Sequence, residues 1–525
     1  MSAHAATPAT TSTTMTTTTT TTIPTPRYDR PARDAAEAIA RYRASLPPGG
    51  LEEFRIDPVD YLGIPIVCID HFADDGIVSN GIGYGATEEA ARLGAFGELC
   101  EERHTVAGFA RLGLEEGSYR ELAARHGAEF VIDPLSLVLE AGSAYTPELP
   151  LRWAPVERLG DGAPCWVPAE FVACGNGQLG DYPNRLVTAI RNGSGAGDTA
   201  ERALLHGALE LLQRDGNADC FRALDRGWVI GYDTLPGACR ALVDELAGKG
   251  LHVTCKLARV TCGCVSVYAV GDDRTDDDFP IGVTATGEGC DPDATRALLK
   301  AITECASSHS RKRFNNVPWD ISGAVAPPGY RERWRAEIDL DREEPRALRA
   351  MTDWLSGSRE DLRAKLAANV FSRKRTVDAG TLPRRDDLAG VPAQWAFVRD
   401  QLRAEGLTPY VFRAATTGGH CHVSKLIVPG IEQELGSYHR LGERGVRRLL
   451  DRDDVRLISR EGGPGRERVL LTAAAEERLG GPVWLEAARL DRLVDPVYAL
   501  YREPTSHAAR YAIDTGYYTG ETATA

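Results

Sequence analysis

Apolar positions recur along the chain in two rhythms: alternation over short runs and three-to-four spacing over longer ones. Residues 31–45 have helical spacing, with Pro31 suited to a first helical position where its missing N–H is not needed. Residues 54–72 (FRIDPVDYLGIPIVCIDHF) predict two short strands around a turn. Residues 119–126 predict a helix, and 130–132, 151–156, 165–172 and 187–190 predict strands. Further on, 228–230, 251–257, 264–270 and 279–285 predict strands, with a helix at 237–249. Residues 318–406 turn charged and helical between proline breaks, and read as an insertion. Strands at 410–413 and 423–428 follow, and from 451 onward the pattern is Arg/Glu-rich and helical, ending in a frayed GETATA. Strands alternating with helices predict an α/β fold (α+β mixed).

Inside this pattern one stretch occurs twice. Residues 191–215 (RNGSGAGDTAERALLHGALELLQRD) overlie residues 79–103 (SNGIGYGATEEAARLGAFGELCEER) at a spacing of 112, with ten of 25 positions identical and no gap. A weaker third copy, residues 287–308, puts Gly289, Ala297 and Glu304 in register with Gly83, Ala91 and Glu98. Each unit reads as a glycine-rich turn followed by a helix with carboxylates near its far end. Closely spaced glycines permit positive φ and turn N–H groups toward an anion, which a helix N-terminus also favours. Thr87 and Thr199 are good N-caps. Glu98 and Glu101 share a helix face, as do Glu210 and Gln213. Oxygen ligands at that spacing suit Mg²⁺ and the phosphates of a nucleotide. A lone ExxE is ordinarily a solvated face and a lone glycine turn a weak signal. Repetition in register favours a shared site, so the expectation is an internally pseudosymmetric fold whose acids meet.

At these residues the chain resembles the YcaO family. The matching motifs are GAFGELCEER, NGSGAGDTAERALLHGALELLQRD, ALLKAITECASS, LIVPGIE and HRLGER, in the family's order across residues 55–450. The resemblance implies a standalone YcaO domain over 31–450; composition predicts a disordered Thr/Pro-rich segment before it (1–30) and a helical extension after it (451–525). It implies ATP and Mg²⁺ as cofactors. The reaction would activate a backbone amide of a ribosomally made peptide, whose oxygen is phosphorylated and leaves. A Cys, Ser or Thr side chain then gives an azoline such as a thiazoline, an amine gives a macrocyclic amidine, and sulfide gives a thioamide. A bottromycin-type pathway is the favoured setting. By the match, Glu98, Glu101, Glu210, Gln213 and Glu304 would be metal ligands, and Ser79, Asn80, Arg103, Asn192, Ser194 and Arg214 would line the nucleotide. The partner implied is a precursor peptide, with room for a partner biosynthetic protein or a second copy of the chain. No general base is assigned; His206 is a candidate, against its reading as a buried structural histidine. Gln213 stands where the family usually has Glu, Glu102 where it has Arg, Arg191 where it has Ser, Asp198 where it has Asn, and Ser307 or Ser308 where it has Gln. Those departures support one alternative, a non-catalytic peptide-binding member; the range of standalone family members supplies the other, a thioamide-forming member with a partner protein.

Composition changes this picture little. The 525 residues carry a formal charge of −14, which excludes a broad nucleic-acid surface. No apolar run is long enough to span a membrane, and no signal-peptide core is present. The 12 cysteines include no CxxC, and read as free thiols in a reducing cytoplasm. Cys262 and Cys264 read as buried hydrophobes, and residues 272–278 as a solvated acidic loop. His420 and His422 would share a strand face, which permits metal binding.

Overall fold

The computed structural model describes residues 32–433 and 436–518. The expectations for the Thr/Pro-rich start and the frayed end therefore lie outside the described residues. Helix Ala32–Ser45 leads into an antiparallel sheet of Gly49–Arg55, Ile66–Ala73 and Val78–Tyr84. A five-stranded sheet runs in the order Thr284–Asp291, Cys264–Asp273, Leu251–Thr261, Trp228–Ile230, Arg375–Val377, its last pair parallel. A third runs Glu115–Gly117, Leu151–Arg158, Tyr410–Ala414, His422–Ile427, Ser194–Gly197, with Pro164–Pro168 also pairing Leu151–Arg158.

Each of these sheets ends in the strand of one repeat unit: Val78–Tyr84, Ser194–Gly197 or Thr284–Asp291. Each strand is followed by its own helix: Glu88–Phe109, Ala200–Asn217 or Ala294–Asn316. Thr87, Thr199 and Asp293 cap the three helices by accepting from the backbone N–H of Ala90, Arg202 and Arg296. The helices also pack in rotation: the first on the second strand, the second on the third strand, the third on the first. Three sheet edges are thereby turned toward one central space.

The glycines of these units do not form anion-binding turns, which corrects the sequence reading. Gly81, Gly83, Gly195, Gly287 and Gly289 lie in strands without positive φ, and only Gly193, in the turn just before its strand, has positive φ, at +83°. Their role is close approach. A Cβ on Gly83 would lie 2.0 Å from the Ala91 carbonyl oxygen, one on Gly195 2.2 Å from that of Ala203, and one on Gly289 2.1 Å from that of Ala297. Each helix therefore lies with its backbone directly on its own strand, where no side chain fits.

Other expectations shift for local reasons. Residues 128–130 form a 3₁₀ turn, and Val131 makes only an isolated bridge to Trp166. Residues 187–190 are irregular; the second unit's strand begins at Ser194. Pro280 starts a 3₁₀ turn, so the third unit's strand begins at Thr284. Residues 318–406 hold five α-helices but also Arg375–Val377, and Leu348, Met351, Trp354 and Leu362 share a core with Val270 and Val283. The region from 451 contains three two-residue strands as well as helices. Asp273, expected in a solvated loop, is fully buried between His309 and Arg359.

Candidate active site

The central space is lined by carboxylates that share one construction. Glu98 accepts from Ile82 N at 3.0 Å, Glu210 from Gly193 N at 3.1 Å and Glu304 from Glu288 N at 3.3 Å. Glu102 accepts from Asn80 N at 3.0 Å. Each acid thus caps an edge amide of its own unit's strand, satisfying a donor that the sheet leaves open. The second oxygen meets a polar neighbour: Glu98 Oε1 lies 3.9 Å from Arg191, Glu210 Oε1 3.6 Å from Arg214, and Glu304 Oε2 accepts from Tyr84 Oη at 2.8 Å. Side-chain exposure falls from 39% at Glu98 to 22% at Glu210 and 9% at Glu288, so the cleft is open at the first unit and closed at the third.

Charge is unevenly balanced along it. The Glu101 carboxyl is held well above the usual carboxylate range, by burial first and then by the negative charges of Glu210 and Glu98. Glu304 is also raised, mainly by burial. Burial pushes Glu288 the same way, but Arg214 and Arg222 outweigh it and hold that carboxylate low. Glu288 accepts from Arg214 at 2.7 Å, Asn217 at 2.8 Å and Gln213 Nε2 at 3.2 Å. Lys300 donates to Gln213 Oε1 at 3.2 Å. A neutral amide at position 213 can both donate to Glu288 and accept from Lys300, which a carboxylate cannot.

The expected site residues divide into groups. Glu98, Glu101 and Glu210 face one another, and Glu304 joins them through Glu288 and Arg214. Gln213 and Arg214 lie at the floor, between Glu288 and Lys300. Asn192 is buried with its Nδ2 unpartnered, and Ser194 is buried 4.0 Å from Cys174 Sγ. Asn80 is exposed at the edge capped by Glu102. Ser79, on the opposite strand face, is buried with an unpartnered Oγ, and Arg103 is buried against Asp75. Arg103 and Ser79 therefore stand apart from the acids. His206 presents its surface to the cleft beside Lys300 and Glu210, which it precedes by one helical turn, and the protein around it, with Lys300, lowers its pKa. Arg191, Glu288 and Lys300 were not singled out as ligands from sequence. Each differs between the units, so repetition gave no signal for them.

The donor set fits a hard divalent cation: several carboxylate oxygens, among them Glu101, whose carboxyl is pushed upward by burial and by the charges of Glu210 and Glu98. The description "YcaO cyclodehydratase, ATP- and Mg²⁺-binding" belongs to the family model that matches residues 82–432. The chain belongs to the YcaO family. It is accordingly an ATP- and Mg²⁺-dependent cyclodehydratase-type enzyme, which sets aside the non-catalytic alternative. This YcaO chain is similar to an uncharacterized protein of Methanothermobacter thermautotrophicus, 27% identical over 344 residues, covering 62% of this chain and 85% of that one. It is 24% identical over 429 residues to a Rhizobium leguminosarum bv. trifolii protein described by its place in the tfuA 3′ region, covering 78% and 91%. Among solved structures, YcaO from Methanopyrus kandleri bound with AMPPCP and Mg²⁺ matches with a TM-score of 0.53 and 18% identity, covering 79% and 94%. A heterocyclase in complex with substrate and cofactor matches at 0.54 and 17%, covering 77% of this chain and 53% of the other; the YcaO chain spans about half that protein's length. These two likenesses show the fold. Among the described residues no helix is long and apolar enough to cross a membrane.

The motifs near the C-terminus brace the cleft. Glu432 accepts from Gly442 N at 2.9 Å and Gly445 N at 2.7 Å, capping helix Glu443–Leu450. Arg444 and Arg448 of that helix pair with buried Asp215, at the end of the helix that carries Glu210.

Proposed function

We propose that the chain activates a backbone amide of a ribosomally synthesised peptide so that a neighbouring nucleophile closes on it, giving an azoline, with the macrocyclic amidine as the variant when the nucleophile is an amine. The supporting observation is the crowding of Glu98, Glu101 and Glu210, which raises the Glu101 carboxyl and which a dication would relieve. Glu98, Glu101, Glu210 and Glu304 would hold Mg²⁺. Gln213 would position Lys300 and Glu288 around it. Arg191 and the unpartnered amide of Asn192 stand where phosphate oxygens could be met, with Ser194, Arg214 and Asn80 around them. ATP with Mg²⁺ supplies the phosphoryl group that makes the amide oxygen a leaving group. The chain's own contribution is positioning and charge neutralisation by residues already fixed to strand edges. We read residues 31–450 as the catalytic domain, and a cytoplasmic setting from the free cysteines.

A second reading is thioamide formation with a partner protein; the description of a relative by its place in the tfuA 3′ region leaves room for a neighbouring gene product as that partner. One experiment serves both. The full chain is incubated with ATP, Mg²⁺ and a peptide encoded by a short open reading frame beside its gene. Phosphate release with loss of one water from the peptide supports ring closure. Replacement of oxygen by sulfur, given a sulfide source and the neighbouring gene product, supports the second reading. No phosphate release and no nucleotide binding by calorimetry, with Glu98→Ala and Glu210→Ala indistinguishable from the parent, would sink both.

A further inference from the structure

On the far side of the helix that carries Glu98 and Glu101 lies a second cluster. Cys100 and His104 are four residues apart on one face of Glu88–Phe109. Cys421, in the turn before strand His422–Ile427, and Ser45, at the end of helix Ala32–Ser45, close on them. All four are buried, at 0%, 5%, 1% and 0% exposure in that order. The ligand atoms of Cys100, His104 and Cys421 lie within 4.8 Å of one another. Ser45 Oγ sits 3.6 Å from Cys100 Sγ, 3.1 Å from His104 Nε2 and 3.2 Å from Cys421 Sγ. Bonds of about 2.3 Å to sulfur and about 2.0 Å to nitrogen or oxygen, set at tetrahedral angles, require ligand-to-ligand edges of about 3.3 Å for O···N and about 3.5 Å for O···S. The three distances from Ser45 have that size. The expectation that His420 and His422 could hold a metal is redirected: both are exposed, and it is the cysteine between them that turns inward.

We propose that Cys100, His104, Cys421 and Ser45 form a closed site for one thiophilic divalent ion, of the class of Zn²⁺. Two thiolates, one imidazole and a hydroxyl in tetrahedral array select such an ion over Mg²⁺, which demands oxygen. The site fastens three separate segments: the N-terminal helix, the cleft helix and the turn that starts the strand pairing with Ser194–Gly197. The site is separate from the carboxylates and does not depend on the nucleotide reading.

The test uses the full chain expressed with zinc and dialysed against chelator. Elemental analysis is expected to find about one zinc per chain, falling at least tenfold in Cys100→Ser and Cys421→Ser and unchanged in the His420→Ala/His422→Ala double variant. Replacement by Co²⁺ in the parent chain is expected to give a thiolate-to-cobalt charge-transfer band, a readout that stands even where a cysteine variant folds poorly. Equal zinc in the parent and both cysteine variants overturns the proposal. So does zinc lost only with the two histidines, absence of the cobalt band, or an intact mass two hydrogens low that maps to a Cys100–Cys421 disulfide.

Discussion

Gly83→Ala separates the two reasons a glycine can stand in these strands. Its backbone has no positive φ, so the methyl group carries no backbone penalty. In the native arrangement the new Cβ would lie 2.0 Å from Ala91 O and 2.2 Å from Ala95 N, whereas ordinary contact begins at 3.4 Å. Helix and strand must part by about 1.4 Å, which would take the 3.0 Å bond between Glu98 and Ile82 N to about 4.4 Å. Overpacking of this kind costs about 1–3 kcal/mol, and loss of a hydrogen bond to a charged group about 1.5–3 kcal/mol. A destabilisation of about 3–5 kcal/mol is expected, visible as a fall in melting temperature of about 3–5 °C in a chain of this length. Gly50→Ala is the control: nothing lies within 4 Å of its Cβ, so its melting is expected to match the parent. Because the obstruction is backbone, adding Ala91→Gly is expected not to rescue Gly83→Ala. Differential scanning calorimetry reads all four proteins. A Gly83→Ala chain that melts with Gly50→Ala refutes the close-approach reading.

Glu101→Gln removes a carboxyl whose pKa is raised in the folded chain, and such a group loses stability as pH rises above the unfolded value of 4.5. Without Mg²⁺ the variant is expected to match or exceed the parent in melting temperature, with the gap wider at about pH 8 than at about pH 5, and to lose at least tenfold in phosphate release; a constant gap across that range would count against the crowding. Lys256 is buried and donates to Asp225 at 2.8 Å and to Val370 O at 2.6 Å. Lys256→Met strands Asp225 and is expected to cost about 3–5 kcal/mol by urea unfolding, most of it recovered in Lys256→Met/Asp225→Leu. His309 lies buried between Asp60 at 2.8 Å and Asp273 at 3.3 Å; burial lowers its pKa, but the bonds to Asp273 and Asp60 prevail and raise it above 6.5. Its contribution is complete below pH 6.5 and is lost as pH rises through the folded value, so His309→Gln is expected to flatten the alkaline fall of the stability profile.

Much of this was legible in the chain. The repeat located the three helices and their acids, and the YcaO likeness placed them in order. The glycines were located but misread, because the same letter marks freedom of φ and absence of a Cβ. A discriminating signal was present: Gly83–Ala91, Gly195–Ala203 and Gly289–Ala297 share one spacing of eight, which pairs each glycine with the helix residue that lies on it. Residues that break the repetition were the ones missed. Glu288 corresponds to Ile82 and Ser194, and Lys300 to Gly94 and His206, so alignment of the units hides them. The buried cluster of Cys100, His104 and Cys421 joins positions over 300 residues apart, a proximity that only the folded chain supplies.

The double duty of Glu98, Glu210 and Glu304 has an evolutionary edge. Each acid that faces the cleft also seals a strand margin that would otherwise invite pairing with another molecule. A descendant that no longer turned over nucleotide would still be under pressure to keep these side chains, simply to stay unaggregated. Persistence of the glutamates in a relative is therefore weak testimony of activity, and the groups free to drift, Arg191 and Lys300, are the better witnesses.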